Sequence, residues 1–469
     1  MRASGCHVLF SFAVLACSSM LAAAVAQTAP PPAAPIDLKF DFSAGAPRAG
    51  YTRVPLNAIY SDGASYGYEP GAQLAVGDDG NTTSGDKPFL FSAQVPEGNF
   101  NVRVEFGDSR QATTATVKAE SGRLMLERIQ VPAGQVVERT FTVNVRTPNL
   151  PKPPMNAPGR DEVSLDQFDR SNARDWDNKL TVEIVSPHAA LRSIEITSAP
   201  SAPTLFIAGD STVTDRDGGG DVSWGQLLPR FFKPGVAVSN DAQSGETLKS
   251  FANALRLDKI LSQMKKGDYL FIQFAHNDSK EQWPQTYVDP ETTYKAYLRV
   301  YIAEARLRGA TAVLVTPMDR GVRDTGAPTH GHAGYPQAMR EVAAEEHVPL
   351  IDLYNMSIVF YENAGADAAK ILVDGTHSTA FGGYEFAKCI VMGIKQNKLN
   401  LANFIVDDFK DFDPAHPDSE SALNLGGLFS NGGRGMRGGA NGAPPAGIPS
   451  SVPAASPPAG LANPGPGPL

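Results

Sequence analysis

The sequence predicts an all-β sandwich followed by a three-layer α/β domain with a parallel sheet. Three observations lead there. From Ile36 to about Ser198 apolar and polar residues alternate with period two, the mark of half-buried strands. From about Ala199 the pattern changes to apolar runs of five or six residues separated by amphipathic helical stretches, which implies strands buried on both faces by helices. The chain is also 469 residues long, more than one domain usually holds.

Residues 1–26 read as a secretory signal. Arg2 precedes an apolar run from Val8 to Ala26, and Ala24-Val25-Ala26 offers a small-residue cleavage site. Secretion or a periplasmic location is expected; lipid anchoring at Cys17 is the weaker alternative, because Leu15-Ala16-Cys17 is a mediocre lipobox. After cleavage no membrane association is expected, since no later segment has the roughly 20 apolar residues of a spanning helix. Residues 27–35 form a Pro/Ala-rich linker.

The sandwich is assigned to 36–200. Ile36 to Phe42, Phe100 to Phe106, Phe141 to Val145, Leu180 to Val185 and Ile194 to Thr197 are its strand candidates, with Pro96-Glu97-Gly98-Asn99 and Pro132-Ala133-Gly134 as turns. The α/β domain is assigned to 201–412. Its strand candidates are Thr204 to Ala208, Val236 to Asn240, Tyr269 to Phe274, Ala312 to Thr316 and Pro349 to Asp352. Helices are expected around Trp224 to Phe232, Leu255 to Lys265, Thr292 to Arg308, Pro336 to His347 and Thr379 to Lys395. In such a fold reactive groups collect at the C-terminal ends of the strands. Residues 413–469, rich in Gly, Pro and Ala toward the end, are expected to be a disordered tail.

Composition narrows the function. With 42% hydrophobic and 19% charged residues the balance is globular. A net charge of −9 argues against nucleic-acid binding as the main role, and leaves any acidic substrate to local basic groups. Beyond the signal the sole cysteine is Cys389, in an apolar helical pattern, so no internal disulfide forms and a buried inert thiol is expected.

Ser211, in Gly209-Asp210-Ser211-Thr212, stands at the exit of the first α/β strand. A serine hydroxyl becomes a strong nucleophile when a base takes its proton. His377 is the candidate base, and Asp374, three residues earlier, is placed to hold the other imidazole nitrogen. Either motif alone is commonplace; their conjunction, at the first strand and before the last helix, is not. Three strand ends offer oxyanion donors: the Ser211 N–H, the N–H of Gly245, where a glycine lets the backbone approach a carbonyl, and the amide of Asn277.

At these residues the chain resembles the SGNH (GDSL-type) hydrolases. Gly209-Asp210-Ser211, Gly245, Asn277-Asp278 and Asp374-Gly375-Thr376-His377 stand as the four motif blocks of that group, in order, over about 200 to 400. The resemblance implies a flavodoxin-like αβα fold, with Ser211, Asp374 and His377 as triad and Ser211, Gly245 and Asn277 as oxyanion hole. One departure is Ala275, where the third block usually begins with glycine. Within the group the chain looks most like the rhamnogalacturonan acetylesterases, on Ala208 to Val213, Asn240-Asp241-Ala242, Gln273 to Asp278, Thr316 to Arg320 and Val373 to His377. The N-terminal sandwich, with Trp176 to Ile184 near its end, resembles the galactose-binding-like (jelly-roll) module of bacterial members. The reaction so implied is hydrolysis of acetyl esters on pectic rhamnogalacturonan, with an acetylated polysaccharide as partner and no metal or organic cofactor. Rival readings are an esterase for another plant polysaccharide such as xylan, and a non-catalytic carbohydrate-binding protein.

Other motifs are weaker. Gly63-Ala64-Ser65-Tyr66-Gly67 matches a nucleophile elbow but lacks a preceding strand and following helix, so it reads as a loop. His330-Gly331-His332 lacks the partners of a metal site. Arg320 and Arg323 are candidates to meet sugar carboxylates, and Trp283 is a candidate to stack on a sugar ring, whereas Trp224 fits a helix core.

Overall fold

The computed structural model describes residues 35–429, apart from 62, 78–79, 81–82, 86, 157, 219 and 322–333. The expected signal segment, most of the linker, Arg323, His330, His332 and the tail from 430 lie outside the described residues.

Two sheets form the sandwich. The first runs in the order Val137–Val145, Gly98–Phe106, Leu191–Ser198, Asp37–Asp41, Thr52–Arg53, with the short Ala75–Val76 and Thr83–Ser84 strands attached. The second runs Tyr66–Tyr68, Phe89–Gln94, Lys179–Val185, Thr113–Ala119, Arg123–Val131. Pairing is antiparallel, except that Thr52–Arg53 lies parallel to Asp37–Asp41. The register sets Phe40 opposite Ile194 and Phe141 opposite Val102, so the apolar half of each alternating strand faces inward. Phe91 from the second sheet meets the rings of Phe40, Phe42 and Tyr68 with centroids 5.0 to 5.9 Å apart, which locks the sheets together.

The third sheet is parallel and five-stranded, in the order Ala237–Asn240, Thr204–Gly209, Tyr269–Gln273, Thr311–Val315, Leu350–Ile351. In chain order this is 2-1-3-4-5, the flavodoxin-like doubly wound arrangement. Every residue of Thr204–Gly209 and Tyr269–Gln273 is buried. Leu205 and Ile207 point into one apolar core and Phe206 and Ala208 into another, so helices cover both faces. Those helices are Trp224–Leu227 (continued as a 3-10 turn, Leu228–Phe231), Leu248–Asn253, Arg256–Gln263, Thr293–Leu307, Gly334–Glu346, Leu353–Asn363 and Ala380–Gln396. Tyr294, Leu298, Tyr301, Ile302 and Ala305 form the buried face of Thr293–Leu307, as their spacing requires. Cys389 is a buried free thiol.

Three differences from the sequence expectation have physical causes. Leu248–Asn253 precedes Arg256–Gln263 as a separate helix, because Leu255 adopts a left-handed φ of 62° between them. Leu353–Asn363 buries only three of its residues, too few for a clear helical period. Residues 413–429, expected within the disordered tail, are folded here: Glu420–Leu423 is helical, Leu425 is buried in the α/β core, and Asp418 and Glu420 pair with Lys388 and Lys370. That segment is anchored by ion pairs, by the buried Leu425 and by the partly buried Leu423, Leu428 and Phe429, whose spacing makes no strand or helix period.

Sandwich and α/β layers are not beads on a string. The described residues from Ile36 onward belong to one compact unit. Leu124, from the Arg123–Val131 strand, is buried in the core of the α/β layers.

Candidate active site

Ser211 leaves the Thr204–Gly209 strand in a tight turn. The Val213 and Thr214 N–H groups donate to the Asp210 carbonyl, at 3.0 and 3.2 Å. Gly225 permits the turn to close, because a Cβ there would stand 2.3 Å from the Val213 carbonyl oxygen. His377 and Asp374 come from the loop ahead of the Ala380–Gln396 helix, whose start is fixed by the Thr379 hydroxyl accepting the Gly382 N–H at 3.2 Å.

The loops meet. His377 Nε2 lies 2.9 Å from Ser211 Oγ, and His377 Nδ1 lies 2.8 Å from Asp374 Oδ2. The other Asp374 oxygen accepts the Thr376 and His377 N–H groups at 3.0 and 2.9 Å. Partial burial pulls the Asp374 carboxyl up, but the hydrogen bonds from the His377 ring and backbone and the Thr376 N–H override it and hold the group well below the usual carboxylate range. The side chains remain open to solvent, with His377 27% and Asp374 54% exposed. Such a chain of contacts can move a proton from a hydroxyl to an imidazole anchored by a carboxylate.

Gly245 and Asn277 follow the two strands that flank Thr204–Gly209. Asn277 Nδ2 donates to the Glu246 carbonyl at 3.1 Å, which draws the Gly245 loop and the Asn277 loop together. An amide has two N–H donors, so one is left for another acceptor. Gly245 has a left-handed φ of 85° and open space where a Cβ would sit. The left-handed φ is itself a reason for glycine there, and the open space leaves the backbone accessible. Ala275 is fully buried at a φ of 157°, an angle more usual for glycine, and accommodates its methyl group in the core. Among the described residues neither the Ser211 nor the Gly245 N–H has a hydrogen-bond partner.

Lys280, which sequence reasoning did not single out, supports these groups together with Arg320 and Asp278. Lys280 Nζ donates to Asn277 Oδ1 at 2.7 Å, fixing which way the amide faces, and it lies 5.1 Å from the centre of the half-buried Trp283 ring. Burial, then the neighbouring Arg320, lower the Lys280 pKa. Its signal was its place three residues after Asn277 in the same loop. Arg320 donates to Thr376 Oγ1 at 2.6 Å and to the His276 carbonyl at 3.2 Å, so it ties the Asp374–His377 loop to the Asn277 loop. Asp278 accepts the Leu248 N–H at 3.0 Å and holds the helix that follows Gly245. Trp224 is fully buried, its Nε1–H donating to Gln273 Oε1 at 3.1 Å, as a core residue should. Ser65 precedes the Tyr66–Tyr68 strand of the sandwich, with no helix after it.

Asp210 is buried beneath the nucleophile. It accepts the Thr212 N–H and hydroxyl at 2.9 and 2.8 Å and stands 3.4 Å from His276 Nδ1. Burial works to raise this carboxyl, but His276 and Thr212 prevail and bring it down to about 2. Burial also lowers the His276 imidazole, against the pull of Asp210. A carboxylate whose folded pKa is depressed stabilises the fold above its unfolded value and loses that contribution as pH falls through the folded value. Asp210→Asn should therefore melt below the wild type at pH 6. The gap should narrow as pH drops below the ordinary value of 3.8 toward about 2, in thermal melts followed by circular dichroism.

Comparisons with known proteins agree with the geometry. The model of the GDSL-like Lipase/Acylhydrolase family matches residues 207–382. The chain is similar to the probable rhamnogalacturonan acetylesterase YesY of Bacillus subtilis, 37% identical over 212 residues, covering 44% of this chain and 98% of that protein. It is similar to the rhamnogalacturonan acetylesterase RhgT of the same organism, 35% identical over 221 residues, 43% of this chain and 94% of that protein. A third Bacillus subtilis relative, the uncharacterized esterase YxiM, is 25% identical over 383 residues, 76% of this chain and 90% of that protein. An α/β fold in the 2-1-3-4-5 order, the family match and these relatives converge: the chain belongs to the GDSL-like lipase/acylhydrolase family and is a carboxylic ester hydrolase.

Proposed function

We propose that this carbohydrate acetylesterase removes acetyl groups from pectic rhamnogalacturonan, as a secreted or periplasmic serine enzyme. The observation that carries the serine mechanism is the hydrogen-bonded line Ser211 Oγ, His377 Nε2, His377 Nδ1, Asp374 Oδ2. Rhamnogalacturonan as the substrate is supported by the names of the YesY and RhgT relatives.

In this reading Ser211 Oγ attacks the acetyl carbonyl as His377 takes its proton. Asp374 keeps Nδ1 protonated, so that Nε2 is the base, and stabilises the imidazolium. The Ser211 N–H, the Gly245 N–H and the second Asn277 amide hydrogen hold the oxyanion, with Lys280 keeping that amide turned. His377 then protonates the departing sugar hydroxyl, and water activated by the same imidazole releases acetate from the acetyl-enzyme. Trp283, Lys280 and Arg320 flank the site as a ring face and two cations that suit an acidic sugar chain.

Substrate choice is tested by acetate release from acetylated rhamnogalacturonan, xylan and chitin oligomers. The highest kcat/KM is expected on the first; a preference for xylan would replace the substrate while leaving the mechanism. Asn277→Ala is expected to lower kcat about 100-fold, the usual cost of one oxyanion donor, with KM little changed.

A further inference from the structure

We propose that the N-terminal half of the chain is a working part of the active site, in which Asn172 and Arg123 are positioning residues for the Ser211 loop. The proposal rests on Ser211 as nucleophile but not on any choice of substrate.

Between Ser211 and the helix that begins at Trp224 the described residues form no helix or strand. Its buried polar groups must therefore be satisfied from elsewhere. Asn172, in the segment that leads into the Lys179–Val185 strand of the sandwich, does this twice. Its Nδ2 donates to the Asp215 carbonyl at 3.2 Å, and its Oδ1 accepts the Asp217 N–H at 3.0 Å. Arg123, at the start of the Arg123–Val131 strand, donates from Nε to Asp215 Oδ2 at 2.5 Å and from Nη2 to Asp175 Oδ1 at 3.0 Å. The other Asp215 oxygen accepts from Asn240 Nδ2 at 2.7 Å. Gln226 Nε2 joins both halves, reaching the Arg216 carbonyl at 2.9 Å and the Ser121 and Gly122 carbonyls of the sandwich at 3.2 and 3.1 Å.

The Gly245 loop is held from the same side. Arg146, just past the Val137–Val145 strand, donates to the Asn240 carbonyl at 2.8 Å, and its guanidinium lies 4.5 Å from the centre of the Trp176 ring. Arg123, Arg146 and Asp215 are each no more than 2% exposed. A buried ion pair is a poor stabiliser, because desolvation offsets its attraction, but its directional hydrogen bonds fix a position well. Packing holds the two ends of the loop, where Val213 and Val222 are buried in the α/β core, but not the stretch between them. A cavity of about 230 Å³ opens beside the loop, lined among others by Lys118, Arg174, Arg216, Asp217 and Asp221. The loop has room on that side, so around Arg216 and Asp217 its hydrogen bonds set the path that leads back to Ser211.

A misplacement of about 1 Å at a reacting atom costs up to about 100-fold in rate. In the full-length protein, Asn172→Ala is expected to lower kcat on 4-nitrophenyl acetate about 10-fold. Its KM should stay unchanged and Tm should shift by less than about 2 °C. Labelling of Ser211 by a fluorophosphonate should slow in parallel. Arg123→Lys, which keeps the charge but loses the fork, is expected to lower kcat further. Ile194→Val, in the sandwich core away from the seam, should lower Tm and keep kcat. Wild-type kcat and labelling rate in folded Asn172→Ala would overturn the proposal, whatever becomes of Arg123→Lys. An equal fall of kcat in Ile194→Val would overturn it too, since the effect would then be loss of stability alone. Activity kept by Ser211→Ala would overturn both this proposal and the nucleophile on which it rests.

Discussion

Ser211→Ala is expected to lower acetate release by about 10⁴-fold or more while the protein stays folded. The magnitude follows from what the hydroxyl does in the proposed mechanism: it forms the covalent intermediate, and no neighbouring group offers a second nucleophile on the same line. Folding is spared because the hydroxyl's one hydrogen bond is to the part-exposed His377 ring. Acetate release at a fixed enzyme concentration, beside a thermal melt of the same preparation, checks both halves. Activity within tenfold of the wild type would remove Ser211 from the mechanism.

Asp374→Asn is expected to lower kcat by about 10³- to 10⁴-fold with KM nearly unchanged. An amide can present its NH₂ to His377 Nδ1 and favour the wrong tautomer, with the proton on the nitrogen that must face the serine. The carboxylate also carries the charge that stabilises the imidazolium. Since the hydrogen bonds on Asp374 depress its pKa, it stays ionised across the mildly acidic range. The stability that Asp374 contributes is present above the ordinary carboxylate value and is lost only as pH drops through its lowered one. A steady-state pH profile of both proteins between pH 5 and 8 tests this: the variant should be slow throughout, with no pH at which it recovers.

Much of the α/β half was legible because its information is local. Each apolar run became a strand of the parallel sheet within a residue or two, since a strand buried on both faces has to be apolar throughout. Ser211, Asp374 and His377 were legible through motif order, and the structure brings their side chains into contact. The sandwich was legible where apolar residues recur at every second position toward the core, as with Phe100, Val102, Val104 and Phe106 in Gly98–Phe106. It was illegible where a strand carries buried polar residues toward the other half of the molecule. Lys118, Glu120 and Arg123 are all buried, and they interrupt the alternation around Thr113–Ala119 and Arg123–Val131. Arg320 shows a different limit. Sequence marks it as a cation near the last motif, but only coordinates show it spending two donors on the neighbouring loops.

The distance along the chain between the reacting groups has a kinetic consequence. Asp374 and His377 lie three residues apart and share a loop from the start, whereas Ser211 and His377 are separated by 166 residues. Their contact exists only once the strands between them have paired and the Ala380–Gln396 helix has docked. Contacts between remote segments form late, because the entropy of closing long loops is lost before those contacts return anything. During refolding from denaturant, secondary structure should return first and esterase activity last. Hydrolysis of a chromogenic ester would thus time the final assembly of the chain, with Ser211 as its reporter.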